Sequence, residues 1–176
     1  MQWEFEFLTW IQGAQSPVLN RIMAFLSHLG DHGFFWIALG LVLLIFAKTR
    51  PTGIQVMLSI ILTYIIGNMI LKNLVDRPRP YDMYASLQPL IPKLSDFSFP
   101  SGHTMNGFTS AVAIFFNNRK AGTAALILAA LIAISRLYNL VHYPTDILGG
   151  LAVGIGCALL ANQILKKWRQ GRFRYD

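Results

Sequence analysis

Charge is scarce in this chain. Of its 176 residues only 13% are Asp, Glu, Lys or Arg, about half the share an average soluble domain carries. That is too little to coat a globule in water, and it argues against a soluble enzyme and a disordered chain. Cysteine is nearly absent: Cys157 stands alone inside an apolar run, so no internal disulfide forms and a disulfide scaffold is excluded. A cleavable signal peptide needs a basic leading segment, and Glu4 and Glu6 stand there instead, so none is expected. No internal repeat and no low-complexity tract is present.

What the chain has is apolar length. Hydrophobic residues make up 54% of it and the mean hydropathy is +0.47. Five stretches contain no Asp, Glu, Lys or Arg: Gly33 to Ala47, Pro51 to Leu71, Thr104 to Asn118, Ala121 to Ser135 and Ile147 to Leu165. A membrane-crossing helix needs about 20 residues, and the shorter runs reach that length through their polar flanks. The expected fold is all-α, a polytopic membrane helix bundle of about five spans, forming one integral-membrane domain over residues 1–176. Ser16-Pro17 reads as a helix cap and first turn, and Val18, Leu19, Ile22, Met23, Phe25, Leu26 and Leu29 follow at helical spacing. Interrupted by Asn20, Arg21 and Ser27, this stretch is expected to be an interfacial helix, with Trp3 and Trp10 at the headgroup boundary. A sixth span within residues 3–29 is the alternative.

The net charge of +7 is placed for membrane anchoring, not for nucleic acid. Lys48 and Arg50, Arg119 and Lys120, and the tail from Lys166 to Arg174 fall on one side when spans alternate. The positive-inside rule makes that side cytoplasmic. The N-terminus, the segment from Lys72 to Gly102 and the turn from Arg136 to Asp146 then lie outside. Of the eight prolines, Pro78, Pro80, Pro89, Pro92 and Pro100 fall in that outer segment, which cannot form a spanning helix and is long enough to be functional.

Ionisable groups at membrane depth are costly, so each needs a partner or a task. Singly, those at the outer helix ends have ordinary explanations. Lys72 reads as an interfacial anchor, Ser101 as a helix cap, His103 and His142 as packed or solvent-facing histidines. Arg77 reads as a loop charge paired with Asp76, and Asp146 as a first-turn carboxylate favoured by the helix dipole. Arg136 resists this treatment, because it stands among Ala133, Ile134, Leu137 and Leu140. Together the set reads differently. Lys72, Arg79 and Arg136 offer a nest of cations with guanidinium geometry suited to phosphate oxygens. Ser101, Gly102 and His103 open a helix whose N-terminal N–H groups suit an anion. Asp146, four residues after His142, can hold one ring nitrogen and leave the other free as a nucleophile. His103 is the second proton-active group, placed to protonate a departing oxygen. The set describes phosphoryl transfer through a phosphohistidine.

These residues resemble the type 2 phosphatidic acid phosphatases, a superfamily that includes vanadium haloperoxidases and bacterial membrane lipid phosphatases. Its signatures are matched by Lys72 through Arg79-Pro80, by Pro100 through His103, and by Ser135-Arg136 through His142 to Asp146. The resemblance implies His142 as nucleophile, Asp146 as its orienting partner and His103 as general acid. It implies a phosphate cradle of Lys72, Arg79, Ser101, Gly102 and Arg136, with no cofactor and no metal. The scarcity of carboxylates fits that last point. It also implies a bacterial cell-membrane enzyme with an extracytoplasmic site and a cytoplasmic C-terminus. Its substrate would be a membrane lipid phosphate such as undecaprenyl pyrophosphate, phosphatidylglycerol phosphate or phosphatidic acid. The partners expected are that lipid and the bilayer. A vanadate-dependent peroxidase shares the cradle, but its known members are larger and soluble. A lipid or anion transporter usually shows repeated halves and helices broken at mid-membrane, which this chain lacks.

Overall fold

In hydrocarbon every backbone N–H and C=O must be satisfied within the protein, which makes helices the natural form for these apolar runs. The computed structural model describes residues 2–172, is 79% helical and has no strand among them. The last residues of the expected basic tail, Arg174 included, lie outside the described residues. α1 (Gln2–Gly13) and α2 (Pro17–Leu29) lead through a 3-10 turn (Asp31–Gly33) into α3 (Phe34–Ile45). α4 (Arg50–Thr63) continues as a π-helix (Tyr64–Leu71) and then as α5 (Lys72–Val75). A loop carrying the short α6 (Pro80–Met83) precedes α7 (Gly102–Asn117), α8 (Arg119–Tyr138) and α9 (Pro144–Arg172).

Local chemistry fixes the helix ends. The Ser16 hydroxyl accepts the Leu19 N–H at 3.4 Å, with Pro17 in the first turn of α2, as the sequence indicates. Asn118 caps α8 in the same way, accepting the Ala121 N–H at 3.1 Å. Asn117 donates to the Gln55 side chain at 2.8 Å. That bond ties the α7–α8 turn to the start of α4, so Arg50, Arg119 and Lys120 share one end of the bundle.

The polytopic helix bundle is as expected, but the spans divide differently. Pro17–Ile45, Arg50–Met83, Arg119–Tyr138 and Pro144–Gln170 are each long and apolar enough to cross a membrane. α2, expected as a separate interfacial helix, is thus continuous with the first span. The polar break at residues 30–33 bends the path, with His32 at φ 51° and Gly33 at φ 71°, instead of ending it. α7, expected as a span, has 16 residues, fewer than an isolated crossing helix needs, yet it runs from the polar helix ends at Gly102 to the end of the bundle that holds Arg119 and Lys120. Its Thr104, Met105, Gly107, Thr109, Ser110 and Ala111 are buried, because α3, α4, α8 and α9 pack around it.

Trp36, Val56, Ile60, Ala111, Ile114, Ala129 and Ile132 join α3, α4, α7 and α8 in one core. α9 also packs closely on α7. A Cβ on Gly154 would stand 2.7 Å from the Met105 carbonyl oxygen, and one on Gly150 2.9 Å from that of Ser101. Small residues allow this backbone approach in membrane bundles. A second cluster, of Leu8, Ile11, Leu87, Tyr138, Leu140 and Tyr143, docks α1 against the long loop and the α8–α9 turn.

Candidate active site

The polar helix ends converge on one cavity of about 660 Å³, lined by Lys72, Arg79, Gly102, His103, Arg136 and His142. Each is delivered by a distinct piece of local structure. The π-helix, a form that recurs at functional sites, runs directly into Lys72, which is buried. Arg79 is extended just before Pro80 opens α6. Ser101 sits at the N-cap of α7, so Gly102 and His103 form its first turn. Arg136 lies in the last turn of α8. The chain then reverses through Leu140 at φ 60° and presents His142 just ahead of α9.

His142 Nδ1 lies 3.4 Å from Asp146 Oδ2, and its Nε2 lies 3.4 Å from Arg79 Nη1. Both His142 and Asp146 are buried. Asp146 also accepts the Ser98 hydroxyl at 2.5 Å and the Tyr143 N–H at 2.8 Å, which fix its orientation. Burial, seconded by the charges of Arg79 and Arg136, pushes the His142 imidazole down to about 3, against the opposing pull of Asp146. It is therefore neutral at physiological pH, with a lone pair for nucleophilic attack. Arg136, 1% exposed, donates Nη1 to the Ser27 hydroxyl, while its Nε and Nη2 have no protein partner. Buried donors of that kind need an acceptor, and a phosphoryl oxygen in the cavity fits.

Two of the sequence-derived residues stand behind the cavity instead of lining it. Asp146 touches it through His142. The Ser101 hydroxyl accepts from Thr104 at 3.0 Å, and its N–H donates to the Asp146 carbonyl at 3.1 Å. The free Ser101 N–H expected for an anion is therefore already used, and what it does is lock the start of α7 onto α9.

Four residues escaped the sequence reading. Arg77 is not a loop charge paired with Asp76. It donates Nη1 to Asp146 Oδ1 at 2.5 Å, pairs Nη2 with Glu4 Oε2 at 2.7 Å and stacks 3.9 Å over the Tyr143 ring. Glu4, 1% exposed, also accepts the Thr145 hydroxyl at 2.6 Å. An acid set among Trp3, Phe5, Phe7 and Leu8 was the available signal for it, though Glu6 beside it shares the same pattern and is exposed. Asp31 Oδ1 lies 3.0 Å from His103 Nε2 and Oδ2 lies 2.5 Å from His28 Nδ1. Asp96 bridges Lys72 and Arg79.

Comparison with known proteins follows this geometry. A family model described as PAP2 superfamily matches residues 52–170. An undecaprenyl-diphosphatase of Sulfolobus acidocaldarius is 34% identical over 151 residues, covering 85% of this chain and 72% of that protein. Phosphatidylglycerophosphatase B of Bacillus subtilis is 31% identical over 173 residues, covering 89% and 81%. The crystal structure of Aquifex aeolicus LpxE superposes with a TM-score of 0.79 at 29% identity, covering 90% of this chain and 93% of that one.

Proposed function

The chain belongs to the PAP2 superfamily and is a membrane lipid phosphatase, and on that footing we propose that its cavity hydrolyses a polyprenyl diphosphate or glycerolipid monophosphate through a phosphohistidine. His142 Nε2 attacks phosphorus, the bond from phosphorus to the lipid oxygen breaks, and His103 gives that oxygen its proton. Asp146 holds Nδ1–H so that Nε2 faces the substrate and steadies the charge that develops on the ring. Water then attacks the phosphohistidine and gives its proton to His103. The N–P bond breaks, and inorganic phosphate leaves. Lys72, Arg79 and Arg136 carry the charge of the phosphoryl oxygens through both steps, with the first turn of α7 at Gly102 beside them.

The observation that carries this reading is the placement of His142 Nε2 beside Arg79 in the same cavity as the unpartnered donors of Arg136. The lipid nature of the substrate is supported by the apolar part of the cavity lining, Ile37, Met57, Ile60, Ile61 and Tyr64. Ile61 and Tyr64 are also exposed on the outer surface of the bundle, so that part of the lining borders the region where a bilayer would supply the substrate's tail. The relatives that act on undecaprenyl diphosphate and phosphatidylglycerophosphate make those two lipids the first to assay. By the positive-inside rule the site faces the extracytoplasmic side and the C-terminus the cytoplasm.

Purified protein is expected to release phosphate from at least one lipid among undecaprenyl diphosphate, phosphatidylglycerophosphate and phosphatidic acid. His142→Ala is expected to lower kcat by about 10³-fold or more, by analogy with loss of other nucleophile–base pairs. Unchanged release by the variant overturns the mechanism.

A further inference from the structure

Asp96 belongs to none of the sequence signatures, yet it engages two of the three cavity cations. One carboxylate oxygen bonds Lys72 Nζ and the other accepts Arg79 Nη2 at 2.6 Å. Arg79 also donates Nε to the Asp96 carbonyl at 2.8 Å and Nη2 to that of Phe97 at 3.4 Å. The loop backbone is thereby anchored independently of the carboxylate. The side chain itself is 52% exposed, so a rotation about its own bonds would free both cations without moving the loop. Two oxygens of one anion shared between an ammonium and a guanidinium reproduce what two oxygens of a phosphoryl group would do there. Arg136, the third cation, keeps two nitrogens, Nε and Nη2, unbonded by protein.

We propose that Asp96 is a tethered competitor for the phosphate cradle and a specificity-determining residue, which admits doubly charged phosphoryl groups and turns away singly charged phosphodiester headgroups. The inference rests on the reading of the cavity as a phosphate site. A membrane presents many phosphodiester lipids, each with one negative charge, to a site whose substrates carry two or more. Exchanging the Asp96 carboxylate for a phosphodiester trades one charge for one charge, gains little attraction and still requires dehydration of the newcomer. The tether adds the advantage of a high effective concentration to the carboxylate. A monoester dianion or a diphosphate brings additional charge, and the free donors of Arg136 are placed to receive it. The competitor is present at every working pH: burial raises the Asp96 carboxyl, but Lys72 and Arg79 outweigh that and hold it at about 2. The same competition speeds product departure, because the carboxylate reclaims both cations as phosphate leaves.

The test uses the full chain in detergent at pH 8, with inorganic phosphate as the doubly charged probe and phosphatidylglycerol in mixed micelles as the singly charged one. Phosphate binding is read calorimetrically, apart from turnover, and inhibition by both probes is read against lipid hydrolysis. Asp96→Asn, and Asp96→Ser should the first variant fold poorly, are expected to bind phosphate at least about tenfold more tightly than the parent. Both are expected to become inhibited by phosphatidylglycerol at concentrations that leave the parent untouched. Asp96→Glu, which restores the charge, is expected to return both properties toward the parent. A parent that binds phosphate together with neutral variants that bind it no better, or that still ignore phosphatidylglycerol, overturns the inference alone. A parent that binds no phosphate overturns the phosphate-site reading and the inference with it.

Discussion

The proposed attack of His142 on phosphorus needs a free base, and the surroundings of the ring keep it one. Burial and the neighbouring guanidinium groups hold its folded pKa near 3, against 6.5 in the unfolded chain. Between those values the unfolded chain binds a proton that the folded protein refuses, so stability rises with pH there. The contribution is fully present above 6.5 and is lost as pH falls toward 3. Thermal unfolding in detergent is expected to show a midpoint that drops through this window. His142→Gln, which has no proton to gain, is expected to show a shallower drop. Histidine-selective nitrogen NMR gives the direct reading: the ring should stay neutral at pH 5. A His142 signal titrating near 6.5 contradicts the burial account. The same neighbourhood shows why Arg77 matters. It is the cation shared by two buried carboxylates, Glu4 and Asp146, and neither would tolerate burial without a partner. The motif residues were legible because a charge in an apolar stretch demands an explanation wherever it stands. Arg77 and Glu4 were not, because their meaning lies in a pairing across 73 positions that no local pattern carries. The same holds for Asp31 and His103, 72 positions apart.

At the scale of elements, the two halves of the site ride on different helices: His103 opens α7, while His142 and Asp146 lead into α9. Their separation is set where α7 and α9 touch backbone to backbone at Gly150 and Gly154. Gly154→Ala would place a methyl group 2.7 Å from the Met105 carbonyl oxygen. The helices must part or the backbone must shift, an overpacking that costs about 1–3 kcal/mol. The variant is expected to unfold at lower temperature and to lose lipid phosphate release, since the histidines separate with their helices. Gly156, two residues on, is the internal control. A Cβ there meets nothing within 4 Å, and Gly156→Ala is expected to keep activity and gain slightly in stability through its helix preference. Equal damage from both substitutions would contradict the close-packing account. The glycine pair was visible in the sequence only as small residues in an apolar run, since hydropathy does not tell which face of a helix meets another. The π-helix was equally hidden, because an altered hydrogen-bond register inside a uniformly apolar stretch leaves composition unchanged.

At the scale of the whole molecule, hydropathy and charge placement were enough for an all-helical membrane bundle, because lipid leaves the backbone so few choices. They did not reveal how packing bounds the individual helices. α7 is short and enclosed by its neighbours, while α2 joins α3 through a bend that reads in sequence as a boundary. Charge placement also carries the remaining claim, orientation. The turns bearing Lys48 and Arg50 and bearing Arg119 and Lys120 lie at the end of the bundle away from the cavity, and basic turns stay cytoplasmic. The long loop beside the cavity should then face outward. Cys157 is the chain's sole cysteine, so a Cys157→Ser background allows single-site labelling. In intact bacterial cells a membrane-impermeant maleimide is expected to label Ala85→Cys, an exposed loop position, and to leave Lys120→Cys untouched until the membrane is permeabilised. With that orientation, phosphate from the lipid would be released outside the membrane and the dephosphorylated lipid left in the outer leaflet. Labelling in the reverse order would place the cavity toward the cytoplasm and overturn the charge argument, while leaving the chemistry of His142 where it stands.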